Sequence, residues 1–371
     1  MKEYTVQPGD TLYSIARLFD VTTARLRSLN PELAGTDDVY VGRMLRIPND
    51  GQVRPVIEVN GYIHPVDDPL QWSAIFPYLT YLSIFDHEVR PGGVLAVPDS
   101  AALIAAARGA GVAPLMAVTN TVGGAYSGGL LHSILSDPQA QQALIKNIGE
   151  AVQANGYYGV NFGFEYIFPE DYGAYASFLD LAANQLHMLG LIIVASIRLV
   201  IILQNPPPLA ESLALYSRIL DRLILMPGGY ACSGEQDPID AVQQGLDFVT
   251  QYFSSPKTLL GVPNCCYEWE APYPDNAYRL LSPDQVEAAV HLAGAVPQTD
   301  PNTQRIFFNI LEDESISRVI MCESAHSLAV TDLVNIYNLG GVSFRTLNLF
   351  NFASYQTINV RNDIRKVLPL Q

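Results

Sequence analysis

Gly159-Val160-Asn161-Phe162-Gly163-Phe164-Glu165-Tyr166 is a mostly apolar and small run with one carboxylate, Glu165, and covers the strand expected over Tyr158–Glu165. Runs of this kind, bounded by turn residues, are read as strands of a parallel sheet, where helices cover both faces and alternation is lost. The same unit recurs on either side. Val56–Tyr62, Tyr78–Phe85 and Ala113–Thr119 are the strands expected before it, with helices near Ser100–Arg108 and over Asp137–Ala154. After it come a helix through Tyr172–Leu189 and strands at Leu191–Ile197, Arg222–Met226, Leu259–Pro263 and Gly341–Leu347. Eight strands separated by helices is the count of a (β/α)8 TIM barrel. The expected class is α/β, with the barrel over 53–371 and a small insertion subdomain at about 266–316, between the last two strands. In such a barrel the chemistry sits at the carboxyl ends of the strands. Glu165 falls at that edge, where partial desolvation raises a carboxyl pKa and suits it to proton donation; a solvated glutamate at a strand end is the plainer alternative.

Composition agrees with a large buried core: 49% of the 371 residues are hydrophobic and only 16% charged. Lys and Arg number 21 against 37 Asp and Glu, a net charge of −16. A phosphate backbone or an anionic membrane surface repels that charge, so no nucleic acid partner is expected. Cys232, Cys265, Cys266 and Cys322 form no CxxC pair, and none of the six histidines lies at metal-ligand spacing from them. Neither a zinc site nor a disulfide framework is expected, and the thiols are read as reduced and buried. No other metal or cofactor is expected. Met1-Lys2-Glu3-Tyr4 opens on no apolar leader, so no signal peptide is expected. The most apolar stretch, Leu189–Leu203, carries Arg198 and runs into Pro206-Pro207-Pro208, which argues against a membrane span. The oligomeric state is not legible.

The first 49 residues read as a separate module, joined by Asn49-Asp50-Gly51-Gln52. Tyr4-Thr5-Val6 is a short strand and Gln7-Pro8-Gly9-Asp10 a turn. Asp10 or Thr11 then caps a helix with Leu12, Ile15, Ala16 and Phe19 at helical spacing. A second helix over Thr23–Leu29, capped by Thr22 or Thr23, stops at Asn30-Pro31, and Met44–Ile47 closes as a strand. This strand–helix–helix–strand order, with Tyr4 to Leu12, Leu29-Asn30-Pro31, Val41-Gly42 and Leu45-Arg46-Ile47-Pro48, resembles a LysM module. The resemblance implies binding of N-acetylglucosamine polymers, peptidoglycan or chitin. The implied groove is Gly9, Asp10, Thr11, Leu12 and Asn30, Pro31, Glu32, Leu33.

The run Gly159-Val160-Asn161 to Phe164-Glu165-Tyr166 resembles the strand-four signature of glycoside hydrolase family 18, and in particular its LysM-bearing branch that trims spore-cortex peptidoglycan. Val59-Asn60-Gly61-Tyr62, Leu225-Met226, Gly261-Val262-Pro263-Asn264 with Tyr267-Glu268-Trp269, and Gly340 to Phe344 extend the likeness. It implies cleavage of β-1,4 bonds by a substrate-assisted route, an exception to the two-carboxylate scheme. Glu165 matches the catalytic acid. The aspartate that orients the substrate acetamide falls on Gly163, and the motif's outer aspartate on Tyr158. The acetamide-binding tyrosine of strand six falls on Gly228, with Tyr230 nearby, and the tryptophan floor of strand eight on Arg345.

Losing one stabiliser of developing charge costs about 10²–10³ in rate, so these departures imply weak or altered activity. A carboxylate from another strand end (Glu58, Asp86, Glu88 or Glu323) is a candidate to take the place left at Gly163. Substrate-binding positions are expected at Tyr62, Phe85, Asn161, Tyr166, Tyr267, Trp269 and Arg345, with Tyr126 a further cleft candidate, although core packing is the competing role for each aromatic. Three functional classes remain, the first two being a glycosidase acting on cell-wall glycan and a non-catalytic glycan-binding protein of the spore coat, cortex or wall. A scaffold built on a dead barrel is a third. All would be made in the cytoplasm, with peptidoglycan or N-acetylglucosamine oligosaccharides as partner.

Overall fold

A computed structural model describes residues 2–6, 10–19, 21–33, 39–48, 54–65, 72–199, 206–226, 239–263, 266–270, 278–281, 283–299, 306–312, 315–322, 331–347, 358–359 and 361–369. The chain divides into two compact units, one of Met1–Ile57, Pro263–Thr331 and Leu349–Ile364, the other of Glu58–Val262, Asp332–Asn348 and Arg365–Gln371.

The second unit is a closed barrel. Its strands, one to eight, are Val56–Ile63, Tyr81–Arg90, Ala113–Thr119, Gly159–Phe162, Ile192–Arg198, Arg222–Met226, Thr258–Pro263 and Gly341–Arg345. Each pairs with its neighbours in that order, and strand eight returns to strand one with Val342 opposite Val59. Closure requires glycine at position 341: its φ is +156°, and a Cβ there would stand 1.8 Å from the Glu58 carbonyl oxygen. Helices alternate with the strands, among them Ala101–Gly109, Pro138–Asn155 and Tyr172–Leu186. Asp137 caps the second of these through the Gln139 N–H, with Pro138 at its first position.

The barrel interior holds a linked polar set. Asn60 donates to Ser343 Oγ at 2.9 Å, Ser83 donates to Asn60 at 2.8 Å, and Asn161 donates to Ser83 at 3.0 Å and to the Tyr62 hydroxyl at 2.8 Å. Ser196 completes it, 3.1 Å from Asn161 Oδ1 and 2.6 Å from Tyr62. Because these groups are fully buried and mutually satisfied, they fix which strand faces which instead of leaving a cost. At the amino-terminal end, Glu58 is gripped by the Arg222 fork and approached by Arg365 at 3.4 Å and the Tyr81 hydroxyl at 3.2 Å.

In the first unit, residues 2–48 form the expected order: a strand at Lys2–Thr5, helices at Leu12–Leu18 and Thr23–Leu29, and a strand at Met44–Ile47 antiparallel to the first. Thr11 is the first cap, its Oγ1 accepting from Ser14 N–H at 3.0 Å while Ser14 Oγ accepts from Thr11 N–H at 2.8 Å. Thr22 caps the second helix through Arg25 N–H.

Residues 266–322 carry an antiparallel sheet in the order Tyr278–Leu281, Cys266–Glu270, Ser315–Cys322, Ile306–Glu312, Gln298–Thr299, with the helix Pro283–Ala293. Here one expectation fails. Cys266 and Cys322 lie directly opposite in register, 4.2 Å apart at Cα, and form a disulfide. Their separation of 56 residues hid the pair, since only folding of the intervening hairpins brings them together. Cys232 and Cys265 lie outside the described residues.

Candidate functional site

Strand four ends its ladder at Phe162, and Gly163 N–H adds one bond to the Val118 carbonyl at 2.9 Å. Beyond it the backbone of Glu165 is held by one side chain. Asn120 Oδ1 accepts from Glu165 N–H at 2.9 Å, and Asn120 Nδ2 donates to the Glu165 carbonyl at 2.8 Å and to the Ser127 carbonyl at 2.9 Å. An amide is the one side chain with both a donor and an acceptor in the spacing this clamp needs.

The Glu165 carboxyl that results is 3% exposed. Burial pushes its pKa up to about 7, against the lowering pull of the Arg345 guanidinium, the Tyr126 hydroxyl and Arg198. Arg345 Nη1 lies 3.7 Å from Glu165 Oε1, an oxygen that receives no hydrogen bond. The same guanidinium lies 4.8 Å from the Phe85 ring centre, 5.9 Å from that of Tyr62, and 3.4 Å from the Tyr126 hydroxyl. Tyr62 and Phe85 are stacked with centroids 4.9 Å apart. A carboxyl near neutrality, buried beside aromatic faces at the carboxyl end of a barrel, can hold and deliver a proton at ordinary pH.

The structure thus brings Glu165, Tyr62, Phe85, Asn161 and Arg345 to one end of the barrel. Tyr62 and Asn161 are fully buried there and spend their polar atoms on the interior set. Tyr166 is turned outward, 57% exposed, with φ of +54°; its carbonyl presses on Gly128, where a Cβ would stand 2.4 Å away. Tyr267 and Trp269 belong to the antiparallel sheet of the other unit and pack on each other and on Tyr278.

The carboxylates weighed for the place left at Gly163 are otherwise engaged. Glu58 sits at the opposite end of strand one, in the arginine grip already described. Asp86 pairs with His64 at 2.9 Å, and Glu88 accepts from Thr121 at 2.8 Å. Glu323 lies outside the described residues, as do Gly228 and Tyr230. Gly163 itself is not forced by packing: a Cβ would meet nothing nearer than Val118 O at 3.7 Å. Asn120, Arg198 and His64 are missing from the sequence-based set. A polar residue just past the carboxyl end of strand three was the available signal for Asn120.

Among the expected groove residues of the N-terminal module, Leu12 and Leu33 are core residues. Asn30 is fully buried and ties the second helix to the closing strand, donating to the Leu26 and Arg46 carbonyls and accepting from Arg46 N–H. Asp10 accepts from Tyr4 at 2.7 Å, Thr11 is the cap, Pro31 and Glu32 are exposed, and Gly9 lies outside the described residues.

An eight-stranded barrel with a buried acid after strand four, behind a strand–helix–helix–strand module, defines the class: a LysM domain followed by a barrel with the fold of glycoside hydrolase family 18. Residues 4–48 match the LysM domain family. Over 94% of its length the chain is 29% identical to the cortical fragment-lytic enzyme of Bacillus subtilis, covering 95% of that protein. The spore cortex-lytic enzyme SleL of Bacillus megaterium has the same fold, with a TM-score of 0.80 at 23% identity over 99% of this chain and 87% of that one. A family 18 chitinase from Cycas revoluta, solved with a tri-N-acetylglucosamine, aligns with a TM-score of 0.65 at 16% identity over 82% of this chain and 98% of that one. No helix among the described residues is long and apolar enough to cross a membrane.

Proposed function

We propose that this protein engages cell-wall glycan containing N-acetylglucosamine, of the peptidoglycan type, as a glycosidase of weak or altered activity. Residues 1–49 hold polymer and the barrel over 53–371 acts on it. Glu165 is the proton donor, and Tyr62, Phe85, Asn161, Tyr166 and Arg345 shape or support the cleft. The observation that carries the proposal is Glu165: almost wholly buried, its backbone fixed by Asn120, and its carboxyl pKa raised to about 7. Reduced turnover follows from Gly163, which has no side chain to orient an acetamide or to stabilise positive charge. The names of the relatives, a cortical fragment-lytic and a spore cortex-lytic enzyme, support a place in spore layers or wall.

The test is release of soluble fragments from purified spore-cortex peptidoglycan, comparing the parent with Glu165→Gln by chromatography. Release by the parent that falls at least 10²-fold in the variant is the expected result. A second proposal, a glycan-binding protein without catalysis, is favoured by the Arg345 guanidinium lying over Phe85. It predicts no release from either protein while both sediment with the glycan.

A further inference from the structure

Several buried tyrosines of this barrel spend their hydroxyls on a neighbour. Tyr62 bonds Ser196 and Asn161, Tyr157 bonds His87, and Tyr216 bonds Ser212. Tyr175, 1% exposed, differs: its hydroxyl is buried and has no hydrogen-bond partner among the described residues. Glu165 Oε1 is in the same condition. Both residues line one cavity, walled by the segment after strand four, by strand five, and by the helices Tyr172–Leu186 and Pro206–Ile219. The cavity leaves about 20 Å³ for the centre of a water molecule, which is room for one. Around the two oxygens the lining is mostly apolar, with Phe164 and Tyr216 packing their rings on Tyr175 at 5.9 and 6.2 Å. A buried oxygen without a partner forfeits the hydrogen bonds it would make in solvent, a cost that folded proteins commonly meet with an internal water. Two such oxygens on one water-sized cavity are the pair of partners that a water requires.

We propose that this cavity seats one structural water, which accepts a hydrogen bond from the Tyr175 hydroxyl and donates one to Glu165 Oε1. Tyr175 is then a positioning residue for the acid, acting through that water. The direction of the chain follows from its ends. Burial holds the Tyr175 hydroxyl well above its ordinary pKa, so it keeps its proton and donates. A water that accepts there has its own hydrogens left for the carboxylate. When Oε1 carries the proton, the second lone pair of the water accepts from it, so one geometry serves both states of the acid. Donation to the charged form favours it and offsets part of the rise that burial imposes on Glu165. The other titratable and charged groups that face this carboxyl are Arg345 of strand eight, Tyr126 beyond strand three, Arg198 of strand five and Tyr62 of strand one. The proposal deepens the reading of Glu165 as the proton donor and takes its significance from that reading, while the bridge itself is a property of the protein without glycan.

The test needs no substrate. The Glu165 carboxyl is titrated in the full chain by NMR of isotope-labelled glutamate, its resonance assigned through its loss in Glu165→Gln. Tyr175→Phe removes a donor to the charged form, so the titration is expected to move upward by about half a pH unit or more. Tyr216→Phe changes the same cavity wall but takes away a hydroxyl that Ser212 engages, and should leave the titration in place. Thermal unfolding adds a sign. Removing a bridged hydroxyl lowers the melting temperature, whereas removing an orphaned one raises it or leaves it alone. A crystal structure of the parent should show a water within hydrogen-bond distance of both Tyr175 Oη and Glu165 Oε1, and this readout stands even if Tyr175→Phe fails to fold. An unmoved titration in Tyr175→Phe, an equal shift in the two variants, a melting temperature that does not fall, or a cavity without that water overturns the proposal. None of these outcomes touches the glycan function, which fragment release decides separately.

Discussion

Glu165 and Gly163 lie two residues apart and received opposite treatment from the fold. The acid is clamped at its backbone by Asn120, while two residues earlier the buried chain admits a Cβ at ordinary contact distances, 3.7 and 3.8 Å. Gly163→Asp should therefore still fold, with a melting temperature lowered by burial of the new carboxyl, and raise fragment release from cortex peptidoglycan by about tenfold or more. Release that stays at the parent level in a folded variant would show that the missing aspartate is not what limits the site. At this scale the sequence disclosed Glu165 through its motif but not what surrounds it. Asn120 is 45 residues away, and Arg345 lies on the far end of the chain. Pairing of strands three and four makes Asn120 a neighbour, and only ring closure does so for Arg345. Tyr62 and Asn161 were legible as polar residues on barrel strands. Their complete burial was not, because it depends on which of two faces a strand turns inward.

Strand two shows how an element prepares a site. Its pairing with strand three shifts between Ile84 and His87, and the extra residue, Asp86, takes φ of +70° and turns outward to His64. The shift also puts His87 wholly inside, where its ring pairs with the Ile84 carbonyl at 3.1 Å and the Tyr157 hydroxyl at 2.9 Å. Burial lowers its pKa from 6.5 to about 4. The folded state thus resists a proton that the unfolded chain takes up below pH 6.5. Its contribution to stability is complete above pH 6.5 and is lost as pH falls toward 4, by about 3 kcal/mol. Urea unfolding followed from pH 7 to pH 4 should show this loss in the parent and a shallower slope in His87→Asn. Equal slopes would exclude His87 as its source.

All eight barrel strands were legible from their apolar runs, since parallel strands advertise burial on both faces. Strand two was foreshortened: the reading stopped at Phe85, whereas the strand continues through the bulge to Arg90. The antiparallel sheet within 266–322 was legible only as a surplus of chain. Its hairpins are irregular, and the disulfide that pins them left no local mark.

At the scale of the whole molecule, the proposed function assigns holding of polymer to the N-terminal module and action on it to the barrel. Leu26 is wholly buried in the core of the N-terminal module, so Leu26→Asp should unfold that module. Co-sedimentation with insoluble peptidoglycan should then drop by about tenfold or more, as the second point of attachment is lost. Protection of the backbone amides of residues 159–166 from hydrogen exchange by a soluble N-acetylglucosamine oligosaccharide should remain unchanged. If it falls in step with sedimentation, the two activities are not separable.

The join between the first and last barrel strands carries a consequence for how the protein is made. Strand one is synthesised early, yet its partner strand eight begins at Gly341, and the Lys366 amine that caps the carbonyls of Phe76 and Leu79 comes later still. Throughout translation the growing sheet keeps an unpaired edge, with Asn60 lacking its Ser343 acceptor. Such an edge invites pairing with other chains. A chain interrupted before residue 341 is therefore expected to be an aggregation-prone stump and not a smaller folded barrel.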